Sequence, residues 1–166
     1  MNKKIWIYRG VLFVLTLSLL VFIFVTSSKN GEQSYEQSEG VTGGVVDVIN
    51  PDLGASEDPH DKEAVHAIHA LIRQAAHVCE YTLLAFLVTL LLDSYGVKKW
   101  WLALGGIAFT VVYAISDEVH QHFVPGRTGS VEDVLYDSLG AILGWACAIF
   151  AIWLFWNVQR RRQKTK

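Results

Sequence analysis

The sequence predicts an all-α fold, a polytopic membrane protein built as a bundle of four transmembrane helices. Three observations lead there: four long apolar blocks, a lopsided placement of Lys and Arg, and tryptophans gathered at one set of block ends. The blocks are Ile5–Val25, Ala75–Leu92, Trp100–Ser116 and Val134–Trp156. A helix needs about 20 mostly apolar residues to cross the hydrocarbon core. A chain segment in lipid must satisfy its own backbone donors, so each block is read as a helix. The third block is short and gains length by running on through Asp117–Phe123. With 52% hydrophobic residues and a mean hydropathy of +0.31, the apolar content exceeds that of an ordinary soluble domain.

The first block follows Lys3, Lys4 and Arg9 and is expected to stay as an anchor, residues 1–26. Its apolar run is longer than a signal-peptide core, and no A-x-A-like cleavage site follows it. Lys98 and Lys99 lie between the second and third blocks, and Arg160, Arg161, Arg162, Lys164 and Lys166 follow the fourth. These ten of the fourteen basic residues fall on one side, against Lys29, Lys62, Arg73 and Arg127 on the other. The excess of positive charge marks the cytoplasmic face, which puts both termini inside. Trp6, Trp100, Trp101, Trp153 and Trp156 then form an inner aromatic belt, with Trp145 deeper. A net charge of -2 and the absence of a basic, aromatic-interleaved patch exclude a nucleic-acid partner.

Residues 27–57 are rich in Gly, Ser and Glu and read as a flexible external loop. The apolar island Val45–Ile49 inside it either docks on the membrane or forms a brief strand. A helix starts at Asp58-Pro59, with Asp as N-cap and Pro at the first helical position. Val65, Ile68, Leu71 and Ile72 recur at helical spacing, so an amphipathic external helix lies in the interface before the second span. Residues 58–156 form the helical membrane domain and 157–166 a basic cytoplasmic tail. Ser130 and Asp133 have the spacing of a capping box for the fourth span. Gly140 and Gly144 form a G-x-x-x-G pair that lets another helix approach closely. Cys79 lies near the outer end of the second block and Cys147 about 20 Å into the fourth, so the two are not expected to bridge and read as small core residues.

Against this apolar background the polar residues stand out. Ionisable groups at the edge of hydrocarbon are costly and by default mark a functional site with a partner. Arg73, His77, Glu80 and Tyr81 open the second block, and His77, Glu80, Tyr81 and Leu84 share one helix face. Asp117, Glu118 and Gln121 close the third, with Asp117 and Gln121 facing the same way and Glu118 rotated by about 100°. Arg127 follows the Pro125-Gly126 turn, where a planar guanidinium suits a carboxylate or phosphate; Asp117, Glu118 and Asp133 are its candidate internal partners. Asp133 and Asp137 lead into the fourth block. All three clusters belong to the same side of the membrane. His120 and His122 flank Gln121 without metal-ligand spacing and read as a solvated helix end.

The stretch Arg73-Gln-Ala-Ala-His77-Val-Cys-Glu80-Tyr81-Thr-Leu-Leu84 resembles the first signature of VanZ-like membrane proteins, the teicoplanin-resistance VanZ-like domain family. Asp117-Glu118-Val-His-Gln121, Phe123-Val-Pro125-Gly126-Arg127, Ser130, Asp133 and Asp137 through Gly140 and Gly144 resemble the second. The likeness runs over residues 70–150, with the first span as a family-typical anchor. It implies a small bacterial cell-membrane protein of about four helices, acting in cell-envelope function at the outer face. It also implies glycopeptide (teicoplanin) resistance, the association of the founding member. Asp137 stands where the family often has Asn.

Two readings of function follow. In the first, the site processes or binds a lipid-linked or anionic precursor in the outer leaflet. His77, Glu80, Asp117 and Glu118 act as catalytic acid/base groups or metal ligands. Arg73, Tyr81, Gln121, Arg127, Asp133 and Asp137 bind the ligand. The partners are then membrane lipids, a lipid-linked cell-wall precursor or a glycopeptide. No motif fixes a metal, a cofactor or an oligomeric state. In the second, the protein is a non-catalytic binding or scaffold module, and the polar network locks helices together. A transport path fits less well, because the polar groups sit at one end of the spans.

Overall fold

The computed structural model describes residues 3–164; Lys166, counted above among the inner cations, lies outside the described residues. The chain forms six helices in this range and no strand: α1 Lys3–Ser27, α2 Gly31–Ile49, α3 Pro51–Ala55, α4 Pro59–Ser94, α5 Lys99–Gln121 and α6 Val131–Lys164. Four of them, α1, α4, α5 and α6, are long and apolar enough to cross a membrane. Most of their large apolar side chains face outward, among them Phe13, Leu15, Phe22, Val112, Leu143 and Phe150. That is the surface expected of helices dissolved in lipid rather than water.

The centre of the bundle is small. Ile23, Tyr81, Leu84, Val88 and Ala114 form a buried cluster contributed by α1, α4 and α5. The most extensive helix contact is between α4 and α6, which run parallel. The Gly140–Gly144 pair makes it possible. A Cβ at Gly140 would sit 2.6 Å from the Val78 carbonyl oxygen, and one at Gly144 would strike the Thr82 carbonyl. The glycine pair thus serves packing within the bundle, as small residues do in membrane helices. At one end Arg9 binds α1 to α4, donating from Nε and Nη2 to the Ser94 carbonyl at 3.1 and 2.6 Å. The same guanidinium lies 4.2 Å from the ring centroid of Tyr95.

Four expectations need correction. First, residues 27–57 are largely helical. Asn30 and Gln33 form a reciprocal capping box that starts α2, and Asn50 both ends α2 and caps α3. Composition predicted a loop, but α2 buries Thr42 and Val46, and Tyr35 and Ser38 engage His69 on α4 by ring stacking and a 2.7 Å hydrogen bond. Tertiary contact here outweighs the low propensity of a Gly-rich stretch. Second, the amphipathic segment is helical but is no separate element. It is the beginning of the 36-residue α4, capped by Asp58 with Pro59 at the first position. At 1.5 Å per residue α4 is about 54 Å long, so its first turns stand clear of a hydrocarbon core of about 30 Å. That projecting part is where α2 and α3 pack. Third, Ser130 and Asp133 form no capping box. The Ser130 hydroxyl accepts from the Glu132 N–H, and its own N–H goes to Glu118. Fourth, Cys79 and Cys147 are unpaired, as their spacing required, but exposed rather than in the core.

Candidate functional site

The end of the bundle opposite the Arg9–Ser94 tie gathers the polar residues. Each arrives by a simple route. Ser27 ends α1, Asp117, Glu118 and Gln121 end α5, and Asp133 and Asp137 occupy the first two turns of α6. Arg73, His77, Glu80 and Tyr81 lie in the middle of α4, level with that end because α4 extends beyond the other spans. The loop between α5 and α6 carries Arg127, aimed by a turn in which Gly126 has φ of 75°, a conformation glycine adopts without strain.

Some of these residues hold helices together. Asp117 Oδ2 accepts from the Ser27 hydroxyl at 2.8 Å and from Gln121 Nε2 at 2.9 Å. Glu118 Oε2 accepts the Ser130 N–H at 2.9 Å and so fastens the loop before α6. Both acids are buried. Tyr81 is wholly buried in the apolar cluster and lines no cavity described below. These bonds tie Asp117, Glu118 and Gln121 to the architecture, and packing in the apolar cluster holds Tyr81.

Others are left available. Arg73, His77 and Arg127 line two adjoining cavities. One, of about 240 Å³, lies under α2, with Glu80, Ser27, Ser34, Gln37 and Ser38 among its walls. The second, of about 480 Å³, lies toward α6, with Gln74, Gln121, Asp133, Tyr136 and Asp137. Arg127 donates to the Ser27 carbonyl at 3.2 Å and to the Ser34 hydroxyl at 2.8 Å, so it is positioned by neutral acceptors. It pairs with none of Asp117, Glu118 or Asp133 within 4 Å; the Lys62–Glu57 ion pair lies apart, at the start of α4. Burial, together with the Arg73 guanidinium nearby, pushes Arg127 below its ordinary pKa. The carboxylates of Asp117, Glu118 and Asp133 act on it in the opposite sense without pairing with it.

Buried polar atoms without a hydrogen-bond partner concentrate in the same place. They include His77 Nδ1, the Tyr81 hydroxyl, Glu118 Oε1 and both carboxyl oxygens of Asp137, which is 1% exposed; Thr89 Oγ1 and Trp145 Nε1 lie deeper in the bundle. Buried polar groups are normally paired, so such a concentration asks for an explanation. Asp137 lies within electrostatic reach of Glu118, Asp117, Asp133 and Glu80. The acids of three helices therefore share one locality. No three His, Cys, Asp or Glu side chains among the described residues approach closely enough to hold a metal ion. His120 contacts Ser28 at 3.1 Å and stacks on Phe24, and His122 lies edge-on to Phe123; neither joins the cavities.

The sequence reading missed Ser34, Gln37 and Ser38, because they belong to a segment read as unstructured. It also passed over Ser27, whose place at the end of the first span was the available signal. Residues of both signature stretches meet at this end of the bundle, and a wider comparison bears on the family. The family model described as VanZ/LLP1 matches residues 12–155. The chain belongs to the VanZ/LLP1 family. No curated protein and no solved structure matches it. The VanZ/LLP1 match begins within α1 and ends near the close of α6, so it takes in α2 and α3 as well as the four long helices.

Proposed function

We propose that this VanZ/LLP1 protein lies in the bacterial cell membrane with both termini cytoplasmic and binds an anionic, lipid-linked envelope molecule at its outer face. The observation that carries the reading is the pair Arg73 and Arg127. Both line the two cavities, and neither forms an ion pair with the surrounding acids. A guanidinium offers a planar fork of donors matched to phosphate or carboxylate. The positive-inside rule supports an outward-opening site, since ten of fourteen basic residues belong to the opposite side. His77, Glu80 and Asp137 are the groups open to proton transfer, and any processing of the bound molecule falls to them. Asp117 and Glu118 fit better as supports, given their hydrogen bonds to Ser27, Gln121 and Ser130. Interference with glycopeptide action follows if the bound molecule is a wall precursor or competes with one.

The test is cellular. Arg73→Gln, Arg127→Gln, His77→Ala and Glu80→Gln variants are compared with the parent at equal membrane abundance, reading teicoplanin susceptibility and the profile of lipid-linked wall precursors. The proposal expects both readouts to move in the two arginine variants. Loss of the protein from the membrane in every variant would instead favour a purely structural network.

A further inference from the structure

The larger cavity carries two kinds of charge, and that narrows the ligand. Arg73 and Arg127 line it, and so do Asp133 and Asp137. Guanidinium and carboxylate groups around one small space ordinarily pair with each other. Here they do not: no ion pair joins them. Both oxygens of Asp137 are buried without a donor, and the residue is 1% exposed. An anion on the arginines would leave those oxygens unsatisfied. A ligand with an N–H-bearing cation beside its anion satisfies both sets at once. Arg127 is already fixed by the Ser27 carbonyl and Ser34 hydroxyl, so it keeps its place without a carboxylate. Ala67, Ala70 and Leu71 add an apolar rim on α4. Such a rim suits a headgroup still attached to its lipid.

We infer that the α4–α6 cavity recognises a zwitterionic lipid headgroup, a phosphate bound by Arg73 and Arg127 and a primary ammonium bound by Asp137 with Asp133. This rests on the anion-binding reading above and adds the cationic half. Phosphatidylethanolamine is the simplest lipid with both groups.

The purified full chain in nanodiscs is titrated with phosphatidylethanolamine, phosphatidylglycerol and phosphatidylcholine, and retained lipid is counted by native mass spectrometry. The wild type is expected to prefer phosphatidylethanolamine over phosphatidylglycerol by about tenfold, the equivalent of one well-made charged contact. Phosphatidylcholine, which keeps the charge but has no N–H, is expected to bind more weakly than phosphatidylethanolamine. Asp137→Asn is expected to bring phosphatidylethanolamine and phosphatidylglycerol to within about twofold of each other, with Asp133→Asn as a second variant should Asp137→Asn not fold. Glu132→Gln, exposed on the first turn of α6, serves as control. Equal retention of all three lipids by the wild type would overturn the inference, as would an unchanged preference in Asp137→Asn. Displacement by an equal concentration of soluble phosphoethanolamine would overturn the assignment to a lipid. Retention of phosphatidylglycerol undiminished in Arg73→Gln/Arg127→Gln would count against the anion site itself, separately from the ammonium site.

Discussion

The Ser27 hydroxyl donates to Asp117 Oδ2 at 2.8 Å and so joins the end of α1 to the end of α5, ninety residues apart. Gln121 Nε2 reaches the same oxygen at 2.9 Å. The bond lies beside the Ser27 carbonyl that holds Arg127, so one serine both anchors the first span and places the guanidinium. Hydrogen bonds between membrane helices are worth on average about 0.6 kcal/mol and at most about 1.7. Ser27→Ala is expected to lower stability by that amount. In a double-mutant cycle with Asp117→Ala, followed by thermal unfolding in detergent, the two changes should be less than additive. Full additivity would mean that the bond contributes nothing.

Glu118 acts on the loop. Its Oε2 accepts the Ser130 N–H, and no other side chain bonds that amide. Glu118→Gln keeps an acceptor and is expected to leave the loop closed. Glu118→Ala removes it, and tryptic cleavage after Arg127 is expected to speed up by about tenfold, as loss of about 1.4 kcal/mol of local protection would give. Equal cleavage of both variants would release Glu118 from this role.

Gly144 is the tightest point between α4 and α6, where an added Cβ meets the Thr82 carbonyl. Backbone there has no rotamer with which to yield. Gly144→Ala is expected to destabilise by about 1–3 kcal/mol, the usual cost of overpacking, and Gly144→Val to prevent accumulation. Gly40→Ala, in open space on α2, is the matched control and should be neutral or mildly stabilising. The measurement is the apparent Tm in detergent.

Orientation can be read chemically. In a background of Cys79→Ser and Cys147→Ser, single cysteines replace Glu36 on α2, Thr128 in the α5–α6 loop and Lys98 before α5, all exposed. A membrane-impermeant maleimide is expected to label the first two in intact cells and the third only after lysis. The reverse pattern would turn the site toward the cytosol and remove the case for an outer-face ligand.

Much of this architecture was legible because it follows from strong, local rules. Four apolar blocks became four long helices, Asp58-Pro59 started α4, and Asp117–Gln121 extended α5 as its short apolar run required. The convergence of Arg73, His77, Arg127, Asp133 and Asp137 was legible from their common position at block ends. What stayed hidden depended on contacts between distant segments. Helix α2 is poor in apolar residues and owes its place to His69 and Arg127, neither of which its own sequence announces. Asp117 and Glu118 drew a proposed acid/base role from their place at the end of an apolar block. Their hydrogen bonds to Ser27 and Ser130, on other parts of the chain, were not visible in that local pattern. The Ser130–Asp133 spacing suggested a cap, yet a carboxylate twelve residues earlier supplies the bond instead.

The central claim is that the guanidinium groups of Arg73 and Arg127 together bind an anion in an outward-opening cleft. The most direct measurement is the dissociation constant of a phosphate-bearing lipid for the purified protein, compared between wild type and Arg73→Gln/Arg127→Gln. Charge-assisted bonds are worth about 1.5–3 kcal/mol each, so binding is predicted to weaken at least tenfold while the apparent Tm holds. An unchanged dissociation constant in a folded double variant would contradict the account.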